Sequence, residues 1–129
     1  MIRLAFALCC MTLPAAAQAV PGSVPRPVTS AEADILRVAI AACWNVGALT
    51  AGGMQTRVTL AVMLDSAAKP VPESIRLIGH VGPSPDEAFQ SARRAILRCG
   101  VRGFPLPPEK QNDWRNLELN FDPAGVLLR

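Results

Sequence analysis

Two cysteines constrain the fold of this chain more than any other feature. Four cysteines are present, and two of them stand in an N-terminal apolar segment. Cys43 and Cys99 remain in the body of the chain. An even number of cysteines in a small exported domain favours one disulfide, and two separate buried thiols are the alternative. Because Cys43 and Cys99 are far apart in the sequence, a bridge between them closes a long loop and contributes about 4 kcal/mol to the free energy of unfolding.

The N-terminus predicts export. Arg3 precedes an uninterrupted run of apolar or small residues at 4–13, and Pro14 ends the run. At about 1.5 Å per residue, so short a helix reaches only about half of a roughly 30 Å hydrocarbon core. The segment Ala17-Gln18-Ala19 has small residues at the two positions that a signal peptidase inspects. We therefore expect a signal peptide at 1–19, a periplasmic location and no stable membrane span, with an uncleaved anchor or a buried helix as the alternative.

The remainder of the chain divides into a leader and one domain. Pro21, Pro25 and Pro27 predict an extended, semi-rigid leader at 20–29. Residues 30–129 have a suitable length for one domain with one core. The chain carries 13 basic and 10 acidic residues, and this near balance does not favour binding to nucleic acid.

A first helix is predicted directly after the leader. Thr29 followed by Glu32 is typical of a capping box. Apolar residues then recur at helical spacing, namely Ile35, Leu36, Ala39, Ile40 and Cys43. Gly47 and the pair Gly52-Gly53 indicate that the helix has ended and a loop has begun.

A β-hairpin is predicted next. Apolar residues alternate along 57–64, which is strand periodicity: Val58, Leu60, Val62 and Leu64. Residues 65–69 are predicted to turn the chain, and the returning strand is expected at 74–80. Pro70 and Pro72 restrict this returning segment to a sheet edge or to a strand entrance.

A second helix and a third strand complete the predicted domain. Ser84 and Pro85 form a cap and a first-turn proline, and Gly100 suits a left-handed stop. Residues 116–122 alternate as a third strand with one buried face. The order helix, strand, strand, helix, strand predicts an α+β fold, with two helices packed on a three-stranded antiparallel sheet.

Several segments form one joint pattern: Cys43-Trp44-Asn45, Cys99, Phe104-Pro105-Leu106-Pro107-Pro108-Glu109-Lys110, Trp114-Arg115 and Leu119-Asn120-Phe121-Asp122-Pro123. In this order they resemble the C-terminal domain of TolA in its alphaproteobacterial form, and more distantly that of TonB. The resemblance implies this same α+β fold and a disulfide between Cys43 and Cys99. It also implies a periplasmic role in the Tol–Pal envelope system, through contacts with proteins such as TolB. Bacteriocins and filamentous phage exploit the same domain in that family.

The expected function is protein binding and not catalysis. His80 is the only histidine, which excludes a site built on two histidines, so no metal and no cofactor are expected. Cys43 and Cys99 do not form a Cys-x-x-Cys motif, which argues against thiol redox catalysis. Because a signal peptide and a short leader stand where TolA has an anchor, we expect binding without force transmission. The alternative function is a free modulator or decoy of full-length TolA or TonB-type transducers.

Two groups of residues are candidates for partner contact. Asn116, Glu118 and Asn120 are predicted to face outward on the third strand, which is expected to be an exposed sheet edge. An extended segment of the partner is expected to add a strand there, with the strand at 74–80 as the alternative edge. Arg94 and Arg98 lie one helical turn apart, and they belong either to a solvated helix face or to a patch that attracts an acidic partner.

Overall fold

The computed structural model describes residues 30–128, so that the predicted signal peptide at 1–19 and leader at 20–29 lie outside the described residues. Along the chain the helices and strands are α1 (Ser30–Ala41), α2 (Ala51–Met54), β1 (Arg57–Met63), β2 (Arg76–Val81), α3 (Pro85–Gly100), α4 (Gln111–Trp114), β3 (Asn116–Asp122) and β4 (Gly125–Leu128). The strands form an antiparallel sheet in the order β2-β1-β3-β4. The predicted α+β class, with the three strands β2, β1 and β3 and one disulfide, is confirmed.

The domain has two layers. Helices α1 and α3 contact each other and pack on the sheet, α3 on β1 and β2, and α1 on β4. The buried side chains of β1 and β3 alternate, as a sheet with one covered face requires: Val58, Leu60, Val62, Leu117, Leu119 and Phe121. Their neighbours on the opposite face are exposed or half-buried. Within the described part of the chain, no helix is long and apolar enough to cross a membrane.

The predicted hairpin is present, but its second strand begins later than expected. Residues Pro72–Ser74 form a 3₁₀ turn, and the hydroxyl of Ser74 donates to the carbonyl of Val71 at 2.6 Å. Strand β2 therefore begins at Arg76 rather than at residue 74. The pairing with β1 shifts between Thr59 and Leu60, which places a β-bulge in the hairpin.

Helix α3 begins at Pro85, as predicted, but the expected role of Gly100 is wrong. The left-handed residue after the helix is Gly103, with φ of 81°. Gly100 is the last helical residue. A residue with a side chain would not fit there, because its Cβ would lie 2.4 Å from Cδ of Pro70. The C-terminal end of α3 therefore packs directly against the chain that leads into β2.

A disulfide joins the ends of the two long helices. Cys43 follows α1, Cys99 lies in the last turn of α3, and their Cα atoms are 5.8 Å apart.

Thr29 of the predicted capping box lies outside the described residues. Glu32, 3% exposed, forms an ion pair with Lys110, with 3.3 Å between Oε1 and Nζ.

The third strand is not the open edge that its position in the sequence suggested. Strand β4 pairs with β3 from Leu119↔Leu128 to Asp122↔Gly125, so the expected open edge along Asn116–Asp122 is wrong over its second half. The physical reason is that the chain turns at Asp122, whose Oδ1 accepts from the N–H of Ala124 at 3.0 Å, and then returns beside β3.

Candidate functional site

The outer side of β2 is a sheet edge. Strand β2 ends the sheet, and no described strand pairs with its outer side. The carbonyl of Met63 accepts from the N–H of Val71, which lies in the segment that leads into β2. Because backbone groups alternate in direction along a strand, the odd-numbered residues of β1 turn their backbone groups toward β2. Arg57 and Thr59 lie opposite Val81 and Gly79, so the intervening residue of β2, His80, turns its N–H and carbonyl outward. These outward groups can complete a ladder with another extended chain.

Apolar side chains accompany this edge. Ile78 is 45% exposed and Val81 is 62% exposed. Ile78 is also the extra residue of the bulge, because Gly79 pairs with Thr59 and Leu77 pairs with Leu60. We call the outer side of β2, with Ile78, His80 and Val81, the β2 edge.

A hollow of about 400 Å³ adjoins the β2 edge and crosses three strands. It is lined by Arg57, Val58, Thr59, Gly79, His80, Val81, Asn120, Phe121 and Asp122, and we call it the sheet hollow. Gly79 contributes no side chain, and a Cβ built there would lie 3.8 Å from Cβ of Thr59. The lack of a side chain at Gly79, beside Thr59, therefore leaves space for a side chain of another molecule.

Polar groups fix the rim of the sheet hollow. The hydroxyl of Thr59 donates to Oδ1 of Asn120 at 2.5 Å, across β1 and β3. Nε of Arg57 lies 3.9 Å from Oδ2 of Asp122. The Thr59–Asn120 hydrogen bond holds these two side chains beside the hollow, and the longer contact of exposed Arg57 with Asp122 lies at its margin.

The three candidate residues of β3 share one face of the sheet. Asn116 and Glu118 are exposed, and Asn120 is half-buried. Asn120 lines the sheet hollow, whereas Asn116 and Glu118 lie further along the same face, opposite Met63 and Ala61. Strand β4 occupies the adjacent edge beside Asn120, whereas no described strand pairs with the outer side of β3 at Asn116 and Glu118.

Arg94 and Arg98 belong to the other layer of the domain. Both are exposed on α3, and they line a hollow of about 200 Å³ together with Cys43, Asn45, Ala48, Ser91 and Ala95. We call this hollow the arginine pocket. The predicted contact residues therefore fall on two separate surfaces, one on the exposed face of the sheet and one between α3 and the segment that follows α1.

Glu87 has a structural role that the sequence did not reveal. Its carboxylate accepts from the hydroxyl of Thr50 at 2.6 Å and from the N–H of Thr50 at 2.7 Å. The hydrogen bond from the hydroxyl, and secondly that from the N–H, lower the pKa of Glu87 below its ordinary value of 4.5. Thr50 also accepts from the N–H of Gly53 at 3.2 Å and so caps α2. Glu87 thus attaches the first turn of α3 to α2.

Sequence analysis gave the strand at 74–80 only as the alternative edge, and it did not identify Asn45 as part of a site. A glycine inside a strand, here Gly79, is a signal of close approach by another chain, and it was available in the sequence. Asn45 carries no comparable signal, because it comes to lie beside α3 only when the chain has folded.

Among residues 30–128 no group of three or more histidine, cysteine or acidic side chains is arranged to hold a metal ion.

Trp44, which belongs to one of the family-like segments, makes a packing contact. Its ring meets that of Phe121 edge to face, with centroids 5.2 Å apart.

Comparison of the chain with protein-family models, with curated proteins and with solved structures gave no match.

Proposed function

We propose that this chain is a periplasmic protein-binding domain of the Tol–Pal type, which captures an extended segment of a partner such as TolB by strand addition. The observation that carries the proposal is the β2 edge, where a strand whose outer side pairs with no other described strand presents the backbone of His80 between exposed Ile78 and Val81. Strand addition obtains affinity from main-chain hydrogen bonds and selectivity from side-chain pockets.

The two ends of the sheet are not equivalent as acceptors of a strand. Strand β2 spans Arg76–Val81, whereas β4 spans only Gly125–Leu128. Helix α1 also packs on β4. The sheet hollow adjoins β2 and not β4. The β2 edge is therefore the better acceptor.

The sheet hollow supplies the selectivity that backbone bonds lack. Directly opposed side chains on neighbouring strands lie about 4.5–5.5 Å apart, so a residue added beside Gly79 projects its side chain over the glycine. An apolar or aromatic side chain placed there covers Gly79 and contacts Thr59 and Val81. The partner segment is thus extended, with an apolar residue in register with Gly79.

The disulfide supports a periplasmic location. Disulfides persist in oxidising compartments and are rare where glutathione keeps thiols reduced. The Cys43–Cys99 bridge joins the chain just after α1 to the last turn of α3 and is therefore part of the folded architecture. We assign no catalytic step to the domain.

The proposal is tested by removing one outward donor. His80→Pro deletes the outward N–H while leaving the bonds of Gly79 and Val81 to β1, and edge strands tolerate proline at such positions. We expect this variant to bind TolB at least about tenfold more weakly, as measured by calorimetry, since the donor is lost and the incoming chain meets the proline ring. His80→Ala keeps the N–H and serves as the matched control.

The expected result is weak binding by His80→Pro and near-normal binding by His80→Ala, with circular dichroism showing both variants folded. Labelled protein titrated with TolB should show amide shifts along residues 76–81. Shifts along Asn116–Asp122 with none on β2, or equal binding by the two variants, would contradict addition at this edge.

A further inference from the structure

The arginine pocket combines a concave shape with two guanidinium groups. One wall is α3, which contributes Arg94 and Arg98 one turn apart. The other wall is the segment that follows α1, which contributes Cys43, Asn45 and Ala48. At about 200 Å³ the pocket accommodates one short polar side chain.

Two links fix the walls of this pocket relative to each other. The Cys43–Cys99 disulfide joins them covalently. One residue further along, Nε1 of Trp44 donates to Oγ of Ser91 at 3.0 Å, and Ser91 is only 7% exposed. The pocket is thus formed before any ligand arrives, which lowers the entropic cost of binding.

No ion pair within the described part of the chain involves the two guanidinium groups of the pocket. The ion pairs of the described residues are Arg37–Asp34, Arg57–Asp122 and Lys110–Glu32. None of the described carboxylates lies within 4.0 Å of a nitrogen of Arg94 or Arg98. The amide of Asn45 adds a neutral donor to the same space. The pocket therefore presents hydrogen-bond donors and positive charge that no carboxylate of residues 30–128 neutralises.

We propose that the arginine pocket binds a carboxylate of the partner protein, carried by an aspartate or glutamate side chain. This inference rests on the proposed protein-binding function and adds a second contact on the helix layer. A guanidinium donates two parallel hydrogen bonds to a carboxylate, and charge-assisted bonds of this kind are stronger than neutral ones. The partner segment is therefore acidic at the position that reaches Arg94 and Arg98.

The shape of the site favours a protein carboxylate over an anionic lipid surface. Lipid-binding patches combine about four to eight basic residues on an accessible surface. Here two arginines line a concavity, and the same pocket contains the half-buried Cys43 and the buried Ala95. A single side chain reaches such a site, whereas a plane of headgroups does not.

The first test measures partner binding by a double variant. Arg94→Gln with Arg98→Gln removes both charges and keeps helix-forming side chains on exposed positions. We expect TolB to bind about tenfold more weakly and with a smaller dependence on salt concentration. The matched control is Arg102→Gln with Arg115→Gln, which removes the same net charge from exposed arginines outside the pocket, and it should change the affinity by less than about twofold.

Equal weakening by the two double variants would assign the effect to net charge and overturn the proposal. Unchanged binding by the Arg94 and Arg98 variant would also overturn it. His80→Pro, by contrast, removes strand addition and leaves both arginines in place.

The second test does not depend on strand addition. Acetyl-Gly-Glu-Gly-amide at millimolar concentration should shift the amide of Asn45 and the Nε–H signals of Arg94 and Arg98, whereas acetyl-Gly-Gln-Gly-amide should not. The His80→Pro variant should give the same shifts, so this result separates failure of the pocket from failure of the proposed function. No shift with the glutamate peptide overturns the proposal. Binding to phosphatidylglycerol vesicles that needs both arginines, without a peptide shift, would assign the pocket to lipid instead.

Discussion

The two ends of helix α3 are attached to the domain by different kinds of contact. At the C-terminal end, Cys99 forms a covalent bridge and Gly100 packs tightly against Pro70. At the N-terminal end, the accessible carboxylate of Glu87 accepts two hydrogen bonds from Thr50. The stability of the first attachment depends on the redox state of the disulfide and on the size of the residue at position 100. The stability of the second depends on pH. One helix thus separates two classes of stabilisation that can be measured independently.

The largest effect is expected at the covalent end. Replacing both cysteines, Cys43→Ser with Cys99→Ser, should lower the free energy of unfolding by about 4 kcal/mol, because the unfolded chain regains the entropy of an open loop. Urea unfolding at pH 7 measures this loss. Dithiothreitol should shift the unfolding curve of the natural protein to the same extent and leave the double variant unchanged. If dithiothreitol did not shift the urea unfolding curve of the natural protein, even though the reductant reaches the unfolded chain, the result would contradict the bridge.

A smaller effect is expected from filling the space between α3 and Pro70. Gly100→Ala places a Cβ where 2.4 Å separates it from Cδ of Pro70, and overpacking of this kind costs about 1–3 kcal/mol of unfolding free energy. Gly47→Ala is the matched control, because its Cβ would meet nothing closer than Oδ1 of Asn45 at 3.7 Å. The same urea measurement should show a loss for Gly100→Ala alone. Equal stability of the two variants would mean that the packing at this end is loose.

The smallest effect is expected at the accessible end. Glu87→Gln removes the charge that accepts from Thr50, and the loss of stability should depend on pH. Because folding lowers the pKa of Glu87 from 4.5, its stabilisation is complete above about pH 4.5 and is lost as the pH falls through the lower folded value. Unfolding curves of the natural protein and the variant should therefore differ at pH 7 and converge on acidification.

Thr50 provides the control for this pH dependence. Thr50→Ser keeps the hydroxyl and should preserve the difference between glutamate and glutamine at position 87. Thr50→Val removes the hydroxyl and should reduce that difference, as a double-mutant cycle measures. A difference that is unchanged by Thr50→Val would show that the backbone N–H alone supports Glu87.

The elements with strong periodicity were predictable from the sequence, and two of the short ones, α2 and β4, were not. Strand β1 has a regular alternation, and α3 combines Pro85 at its start with a long apolar stripe. Helix α2 contains Gly52 and Gly53, which disfavour a helix, so it forms only with the cap at Thr50 and its contacts to α3. Strand β4, four residues long, is too short for any period to be distinguished.

The candidate surface was predictable in composition but not in placement. Asn116, Glu118 and Asn120 follow the outward alternation and do share one face. Which strand ends the sheet depends on β4, and the sequence before it, Asp122-Pro123, indicated an ending rather than a turn. Arg94 and Arg98 were identified from their spacing, whereas Asn45 enters the same pocket only through folding.

The β-bulge at Ile78 has a consequence for the solubility of a domain that displays an open strand. An uninterrupted edge is a template for copies of itself, and natural sheets limit such growth by local irregularities. Here the two-residue repeat of β2 is broken between Leu77 and Gly79. A second copy of β2 cannot stay in step with both halves of this strand. The edge is therefore a poor seed for sheet-to-sheet polymerisation, although it remains open to a segment whose own spacing matches the break.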